Sequence, residues 1–328
     1  MSPGNVVSGL AVIVLAGGVL VAEDAKAGKV ELKTEKGQVA EFVVKRTSTS
    51  EGSGGQAGDY KRNEESEIEY KIEVAEKKEG GDLVLKVSYG SVKAKADRRD
   101  GTWEFDSAKK EGGDESDQAI RDAIAKPITV EVRKGRVTDI VGLPEPPRAD
   151  GGSGQEAFRA MRGARIAGRE ALRRDLDLIL AAPVQGEALE KGKEYRLARE
   201  ERRQGEEKAE GGRGQGRGGR FRGGFGFGQV RVAYKFEGDE KVGNVPAAKF
   251  SLSADRPEAR EGGPTIQSKS EGSATVSLQD GLLLKLELDS SSSWEFERDG
   301  QKSTNSTKSK TTVARKEAKG GERTASRL

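Results

Sequence analysis

The chain has 328 residues, of which 34% are charged, 5% are aromatic and 45 are glycine, and its formal net charge is only +3. It contains neither cysteine nor histidine, which excludes disulfide bonds, thiolate nucleophiles, Ser-His-Asp catalysis and nearly all zinc and iron sites. The balance of charges excludes a global field that would draw the protein onto nucleic acid, so any basic site has to be local. We therefore expect a protein that is not an enzyme, with no metal site and no cofactor.

The N-terminal segment is typical of a secretory signal peptide. Residues 6–22 form a predominantly apolar run that ends in small residues, and we expect cleavage near Ala22 or Ala27. This predicts a periplasmic or secreted protein of the cell envelope. One alternative is an uncleaved membrane anchor, because seventeen residues reach the short end of the spanning range. The other alternative is a strand or helix that is buried in the core.

Long stretches after residue 27 alternate between apolar and charged residues, as half-buried antiparallel strands do. The alternating residues 68–74 and 83–89 lie on either side of the turn EKKEGG, and they predict a long hairpin. Few aromatic residues and many glycines also favour a core built from strands. We expect a mainly β fold, with one or two curved, half-barrel-like antiparallel sheets.

A second hairpin is predicted in the segment ITVEVRKGRVTDIV. A two-residue loop at positions 134–135 places Val132 opposite Val137 and Ile128 opposite Val141, with all four side chains on one face.

A third hairpin is predicted in ATVSLQDGLLLKLEL, where the leucines from Leu282 to Leu288 share one face at every second position. A three-residue loop, 279–281, pairs Leu278 with Leu282 and Val276 with Leu284. Gly281 then lies where a bulge needs a left-handed residue.

Residues 155–181 predict one central amphipathic helix, which Pro183 ends. The glycines at 163 and 168 mark a place where it can break. The apolar stripe comprises Phe158, Met161, Leu172, Leu176, Ile179 and Leu180, and the same stripe also contains Arg162, Arg165 and Arg169.

The arginines of this stripe allow two interpretations. Their stems can cover a sheet edge while the guanidinium groups reach water or pair with Glu156, Glu170 and Asp175. Alternatively, Arg162, Arg165 and Arg169 form an anion or lipid-headgroup site beside an apolar surface.

The segment GGRGQGRGGRFRGGFGFG is similar in composition to single-stranded nucleic acid binders, since its arginines are interleaved with phenylalanines. The flanking segments GKEYRL and QVRVAYKFEG alternate as strands do, which favours a long hairpin loop, because lengthening a loop costs little free energy. The alternative is polyanion or nucleic-acid binding through this loop and the basic tail after Lys302. Its candidate residues are Arg213, Arg217, Arg220 and Arg222.

The chain divides by composition into a signal peptide, 1–27, two β units, 28–150 and 184–316, and a helical insert between them, 151–183. Low-complexity pieces cover residues 47–66, 144–155, 202–228 and the tail, of which 317–328 is expected to be disordered. The tripeptide WEF occurs at 103–105 and 294–296, which indicates either a duplicated β unit or two aromatic strands filling one core.

The order of segments KVELKTEKGQVAEF, KPITVEVRKGRVTDIVG and KGKEYRL resembles a family of exported, β-rich bacterial proteins of unknown function. More distantly, the pattern is similar to half-barrel envelope carriers of lipids. Separately, the export signal, the long apolar strand faces and the missing catalytic residue types lead us to expect an exported, non-enzymatic envelope protein. We expect it to bind a hydrophobic or amphiphilic ligand, or a protein partner, on a concave sheet face. Membrane association would be peripheral or through the N-terminal segment, and we do not expect nucleic acid as a partner.

Overall fold

The protein is built on one antiparallel sheet. The structure, a computed structural model, describes residues 28–54, 58–98, 101–109, 113–144, 163–196, 232–255, 265–298 and 301–317. These residues contain twelve strands in a single sheet. The strands are β1 (Val39–Ser53), β2 (Tyr60–Lys77), β3 (Leu83–Arg98), β4 (Gly101–Asp106), β5 (Ile128–Arg133), β6 (Arg136–Val141), β7 (Glu194–Arg196), β8 (Ala233–Val242), β9 (Val245–Asp255), β10 (Thr265–Ser277), β11 (Leu283–Arg298) and β12 (Gln301–Arg315). Two α-helices lie wholly within the described residues, α1 (Glu115–Ile124) and α2 (Arg169–Ile179).

The sheet order is β6-β5-β3-β2-β1-β12-β11-β10-β9-β8-β7, and β4 pairs with the end of β3 beside this path. The N-terminal strands therefore run from the centre to one edge, and the C-terminal strands run from the other edge back to the centre. The two sets meet where β1 pairs with β12, from Phe42 opposite Arg315 to Ser53 opposite Thr304. The predicted mainly β, antiparallel fold is confirmed.

The apolar core lies on one face of the sheet, beneath α2. We call this the helix face; it carries Phe42 and Val44 of β1, and the opposite, reverse face carries Val43 and Lys45. Leu172, Leu176 and Ile179 of α2 pack onto the helix face and are fully buried there. Each buried side chain of this size contributes about 1.5–3 kcal/mol, so this one layer holds the helix to the sheet.

The first predicted hairpin, β2–β3, is confirmed. Its apolar residues are buried on the helix face apart from the half-buried Tyr89, and Tyr70 lies opposite Tyr89. Two bulges, between Ile68 and Tyr70 and between Val74 and Glu76, keep both apolar rows on the same face.

The second hairpin, β5–β6, has the predicted loop, with positive φ at Lys134 (49°) and Gly135 (74°) as a tight hairpin turn requires. The pair Val132 and Val137 is confirmed, but the pairing of Ile128 with Val141 is wrong. A register shift beyond Val132 brings Ile140 into the core and leaves Val141 55% exposed.

The third hairpin, β10–β11, forms with Gly281 at a φ of +74°, as predicted. Its predicted register is wrong, because Val276 lies opposite Leu283 and the bond from Ser277 N to Leu282 O closes a longer loop. Leu283 and Leu286 are buried, whereas Leu284 falls at the register shift and is only half-buried.

The predicted helix over 155–181 is confirmed in its described part, with an interruption at one of the two glycines where a break was predicted. Residues 163–167 are helical, but Gly168 is extended (φ −83°, ψ 175°) and α2 begins after it. Leu172, Leu176, Ile179 and Leu180 are buried as expected, while Phe158 and Met161 lie outside the described residues. The break at the predicted glycine separates the two helical pieces.

Helix α1 has no counterpart in the predicted elements. Asp114 caps it by accepting hydrogen bonds from the backbone N–H groups of Ser116 and Asp117. Ile120 is fully buried, and the Trp103 indole donates a bond of 2.8 Å to Asp117. The segment is rich in charged residues, and its composition therefore did not indicate a short capped helix.

Two of the low-complexity segments are strands. Residues 47–53 and 60–66 belong to β1 and β2, and residues 302–315 of the basic tail belong to the central strand β12. The two WEF tripeptides lie in β4 and β11, which are not equivalent places in the sheet. The predicted neighbours on either side of the Gly/Arg-rich loop do pair, since Tyr195 of β7 lies opposite Tyr234 of β8.

Candidate functional site

A buried ion pair joins α2 to the sheet. The carboxylate of Asp175 is fully buried and accepts hydrogen bonds from both terminal nitrogens of Arg46 on β1, one of them at 3.1 Å. The phenol of Tyr70 on β2 donates a third bond of 2.7 Å to the same carboxylate. Such a pair costs desolvation energy, and the added hydrogen bonds offset this cost.

This buried cluster has the character of a structural clamp. Burial, and then the charge of Asp175, raise the pKa of Tyr70 well above its usual value, so the phenol remains a hydrogen-bond donor. Tyr89 packs against Tyr70 with ring centroids 5.2 Å apart and donates to the backbone carbonyl of Ala167. Neither of the two cavities described below is lined by Asp175 or Tyr70.

Beyond this cluster the central strands continue as a polar extension. It comprises residues 47–53, 60–66, 267–271, 289–295 and 303–310, and none of them is aliphatic. Its helix face is lined by hydroxyl groups that pair across strands, Ser50 with Thr307 at 3.0 Å and Ser270 with Ser290 at 2.8 Å. This part of the sheet is held together by backbone pairing and polar contacts, not by an apolar layer.

The reverse face of the polar extension forms an open groove with a volume of about 390 Å³. Two cross-strand rows build it. One row contains Thr49, Lys308, Ser291 and Lys269, and the other contains Thr47, Lys310, Asp289 and Glu271. Ser48, Ser290 and Ser309 complete the lining.

Two lysines in this groove lack the ion pair that several other lysines of the central strands form. Neighbouring lysines form ion pairs: Lys45 with Glu67, Lys61 with Glu51, Lys269 with Glu271, Lys285 with Glu287 and Lys302 with Glu295. Lys308 and Lys310 are exposed and have no carboxylate within 4.0 Å among the described side chains. Lys308 attracts Glu51 and Lys310 attracts Glu287, but neither lysine forms a contact ion pair with these carboxylates. The groove therefore offers two ammonium groups that can bind an external anion.

Two of the three arginines of the predicted anion site, Arg165 and Arg169, lie within the described residues. Arg165 is exposed, and Arg169 is half exposed and bonded to Asp139 of β6 at 3.3 Å. Gly168 separates Arg165 from α2, and Asp175, one expected partner, binds Arg46 instead. Arg162 lies outside the described residues, as do Arg213, Arg217, Arg220 and Arg222.

The sequence did contain a signal for the groove. In NSTKSKTTVAR the lysines at 308 and 310 alternate with polar residues and lead to the apolar Val313 on the other face, which is the period of a strand. Composition alone marked this segment as a basic tail. The pairing of β12 between β1 and β11 could not be inferred from it.

Apolar space is scarce by comparison. The cavity lined by Ala40, Val74, Leu85, Leu180 and Leu282 measures about 10 Å³, which is room for one water molecule at most. No cluster of carboxylates that could hold a metal ion occurs among the described residues. The helices described here include none that is long and apolar enough to cross a membrane.

The fold is thus that of a single-sheet antiparallel β protein with a helix packed on one face. No family model and no curated protein matches the sequence. Among solved structures, one of lipid–protein interactions in lipovitellin is similar at 12% identity and a TM-score of 0.45, over 86% of this chain and 25% of that chain. An outer membrane channel from Pseudomonas putida F1 is similar at 8% identity and a TM-score of 0.18, over 90% of this chain and 100% of that chain.

This chain spans about a quarter of the length of the lipovitellin chain. Both TM-scores are below 0.5, so neither likeness defines the fold or the function of this chain. No family model supports the resemblance to a family of exported proteins.

Proposed function

We propose that this chain is an exported, non-enzymatic protein of the cell envelope, and that it binds a partner molecule on the polar extension of its sheet. The observation that carries the proposal is that five central strands continue past the apolar core. They have 13 to 18 residues each, whereas strands in globular proteins usually have about 3–10.

The polar extension contributes little to the core. Ordering each of its residues costs about 1–2 kcal/mol of backbone entropy, and no aliphatic burial offsets that cost there. A sheet of this kind is a rigid platform on which side-chain positions are fixed by register. Such a platform suits recognition, and it favours partner binding over a purely space-filling role.

The sizes of the cavities favour a surface-bound partner over an enclosed lipid. Pockets that enclose a small molecule usually measure about 300–1,000 Å³ and are mostly apolar. The groove of about 390 Å³ has that size but is lined by lysine, hydroxyl and carboxylate groups, and the apolar cavity is about 10 Å³. Binding of a hydrophobic ligand therefore has less support than binding of a polar partner.

Export and the lack of an enzymatic role are part of the same proposal. The N-terminal apolar run supports export. The absence of histidine and cysteine supports a binding role, because these residues supply most nucleophiles and proton shuttles near neutral pH.

Thiol labelling tests the proposal directly, because the chain has no cysteine of its own. We would introduce Ser291→Cys in the groove and Ser292→Cys on the helix face of the extension. The matched control is Thr129→Cys, an exposed position on β5 outside the extension. A membrane-impermeant maleimide is applied to purified protein and to cells whose outer layer is permeabilised.

We expect the control to be labelled equally fast in cells and in purified protein, which requires export. At least one of the two extension positions should be labelled more slowly in cells, since a bound partner covers it. Labelling of the control only after lysis would exclude export. If labelling at each of the three positions is as fast in cells as in purified protein, a partner on the extension is excluded.

A further inference from the structure

The side chains that line the groove on the reverse face of the polar extension limit the class of molecule that can bind there. The proposed function states that a partner lies on the extension, and the inference that follows rests on it. Three cationic and two anionic side chains line the groove, Lys269, Lys308 and Lys310 against Glu271 and Asp289. Hydroxyl groups of both adjoining rows lie between them.

The arrangement of these charges differs from that of a phosphate-binding surface. Lys308 and Lys269 flank Ser291 in one row, with Thr49 beside Lys308. In the adjacent row Lys310 lies between Thr47 and Asp289. Ammonium groups therefore alternate with hydroxyl groups and carboxylates at the strand spacing of about 4.8 Å.

We propose that the groove binds a strand of acidic polysaccharide. The unpaired ammonium groups of Lys308 and Lys310 bind its carboxylate or sulfate groups. Asp289 and Glu271 accept hydrogen bonds from its hydroxyl groups, and the Thr and Ser hydroxyls of the groove both donate and accept. The four strands from β10 to β1 span about 14 Å, enough for several sugar units.

Nucleic acid fits the same groove poorly. Single-stranded nucleic acid is usually held by a continuous cationic track with aromatic rings on which bases stack. No aromatic side chain lines this groove, so nucleic-acid bases have nothing to stack on there. The surplus of one positive charge is small, so hydrogen bonding to the sugar has to supply a large share of the affinity.

The test measures binding of the full chain to polygalacturonate and to dextran sulfate, with neutral dextran and single-stranded DNA as comparison probes. The test variant is Lys308→Gln/Lys310→Gln. The matched control is Lys235→Gln/Lys249→Gln, which removes the same net charge from exposed positions on β8 and β9. Circular dichroism establishes that each variant is folded.

We expect at least one acidic polysaccharide to bind, with an affinity about tenfold lower in the groove variant and changed less than about twofold in the control. Neutral dextran should bind weakly, and the slope of log affinity against log salt should fall by about one to two units in the groove variant. Equal losses in both variants would show that only net charge matters and would overturn the inference.

Two other results would also overturn it. The first is that neither acidic polysaccharide binds the folded wild-type chain. The second is that DNA binds more tightly than the polysaccharides and loses its affinity in the groove variant. In the first case, slow labelling of Ser291→Cys in cells would still support a partner of another chemistry. Failure of this inference is therefore distinguishable from failure of the proposed function.

Discussion

The phenol of Tyr70 donates a hydrogen bond of 2.7 Å to the carboxylate of Asp175, and so connects β2 to α2 across 105 positions of the sequence. Arg46 of β1 binds the same carboxylate. Two neighbouring strands and a helix distant from them in the sequence thus share one buried anion, and the position of the helix depends on it.

Removal of this anion is expected to be costly. Asp175→Ala leaves the guanidinium of Arg46 mostly buried without its partner, and we expect a loss of about 3–5 kcal/mol in the free energy of unfolding. The double variant Arg46→Met/Asp175→Leu replaces the pair with apolar groups and should recover much of that loss. Urea denaturation measures both. A double variant less stable than Asp175→Ala would contradict the interpretation of the cluster as a clamp.

Alkaline pH should destabilise the protein through its buried tyrosines. Burial is the main cause that raises the pKa of Tyr70, Tyr89 and Tyr234 above the usual value of about 10. Above about pH 10 the unfolded chain releases these protons while the folded chain retains them, so stability falls as the pH rises. The stability contributed by these groups is fully present below that pH.

The expected slope is about 1.4 kcal/mol per pH unit for each such tyrosine. Unfolding free energies measured between neutral pH and pH 11 check it, and Tyr70→Phe should reduce the slope by one tyrosine's share. A slope that Tyr70→Phe leaves unchanged would show that Tyr70 ionises equally in both states.

Two leucines of β11 distinguish the observed register from the predicted one. Leu286 is fully buried and lies opposite Ala274, whereas Leu284 is half-buried at the register shift. We expect Leu286→Ala to cost about 2–5 kcal/mol and Leu284→Ala clearly less. Equal costs in urea denaturation would favour the register in which both side chains share the buried row.

Much of the β architecture is contained in the local alternation of residues. The β2–β3 and β7–β8 pairings follow from apolar residues at every second position, and the turns at Gly135 and Gly281 follow from their need for positive φ. Strand registers were harder to predict, because a single bulged residue moves the following side chains to the opposite face of the sheet. The sequence does not mark the position of such a bulge. This is why Val141 and Leu284 were misplaced.

The candidate site was hidden for a different reason. Its side chains come from segments rich in Ser, Thr, Lys and Gly, which composition classifies as low-complexity. Lys308 becomes part of a groove only because β12 lies between β1 and β11, and that pairing joins opposite ends of the sequence. The pair of Arg46 with Asp175 likewise depends on tertiary packing that periodicity cannot show.

The contact between β1 and β12 determines when the molecule can be completed. These are the first and last strands of the sheet, so the N-terminal half of the chain has an open edge at β1 until the final strand has been synthesised. Pairings this distant in sequence form slowly, and open edges of this kind attract other chains. We therefore expect the nascent chain to be prone to aggregation until its last strand has been synthesised, and folding that is delayed until then avoids this exposure.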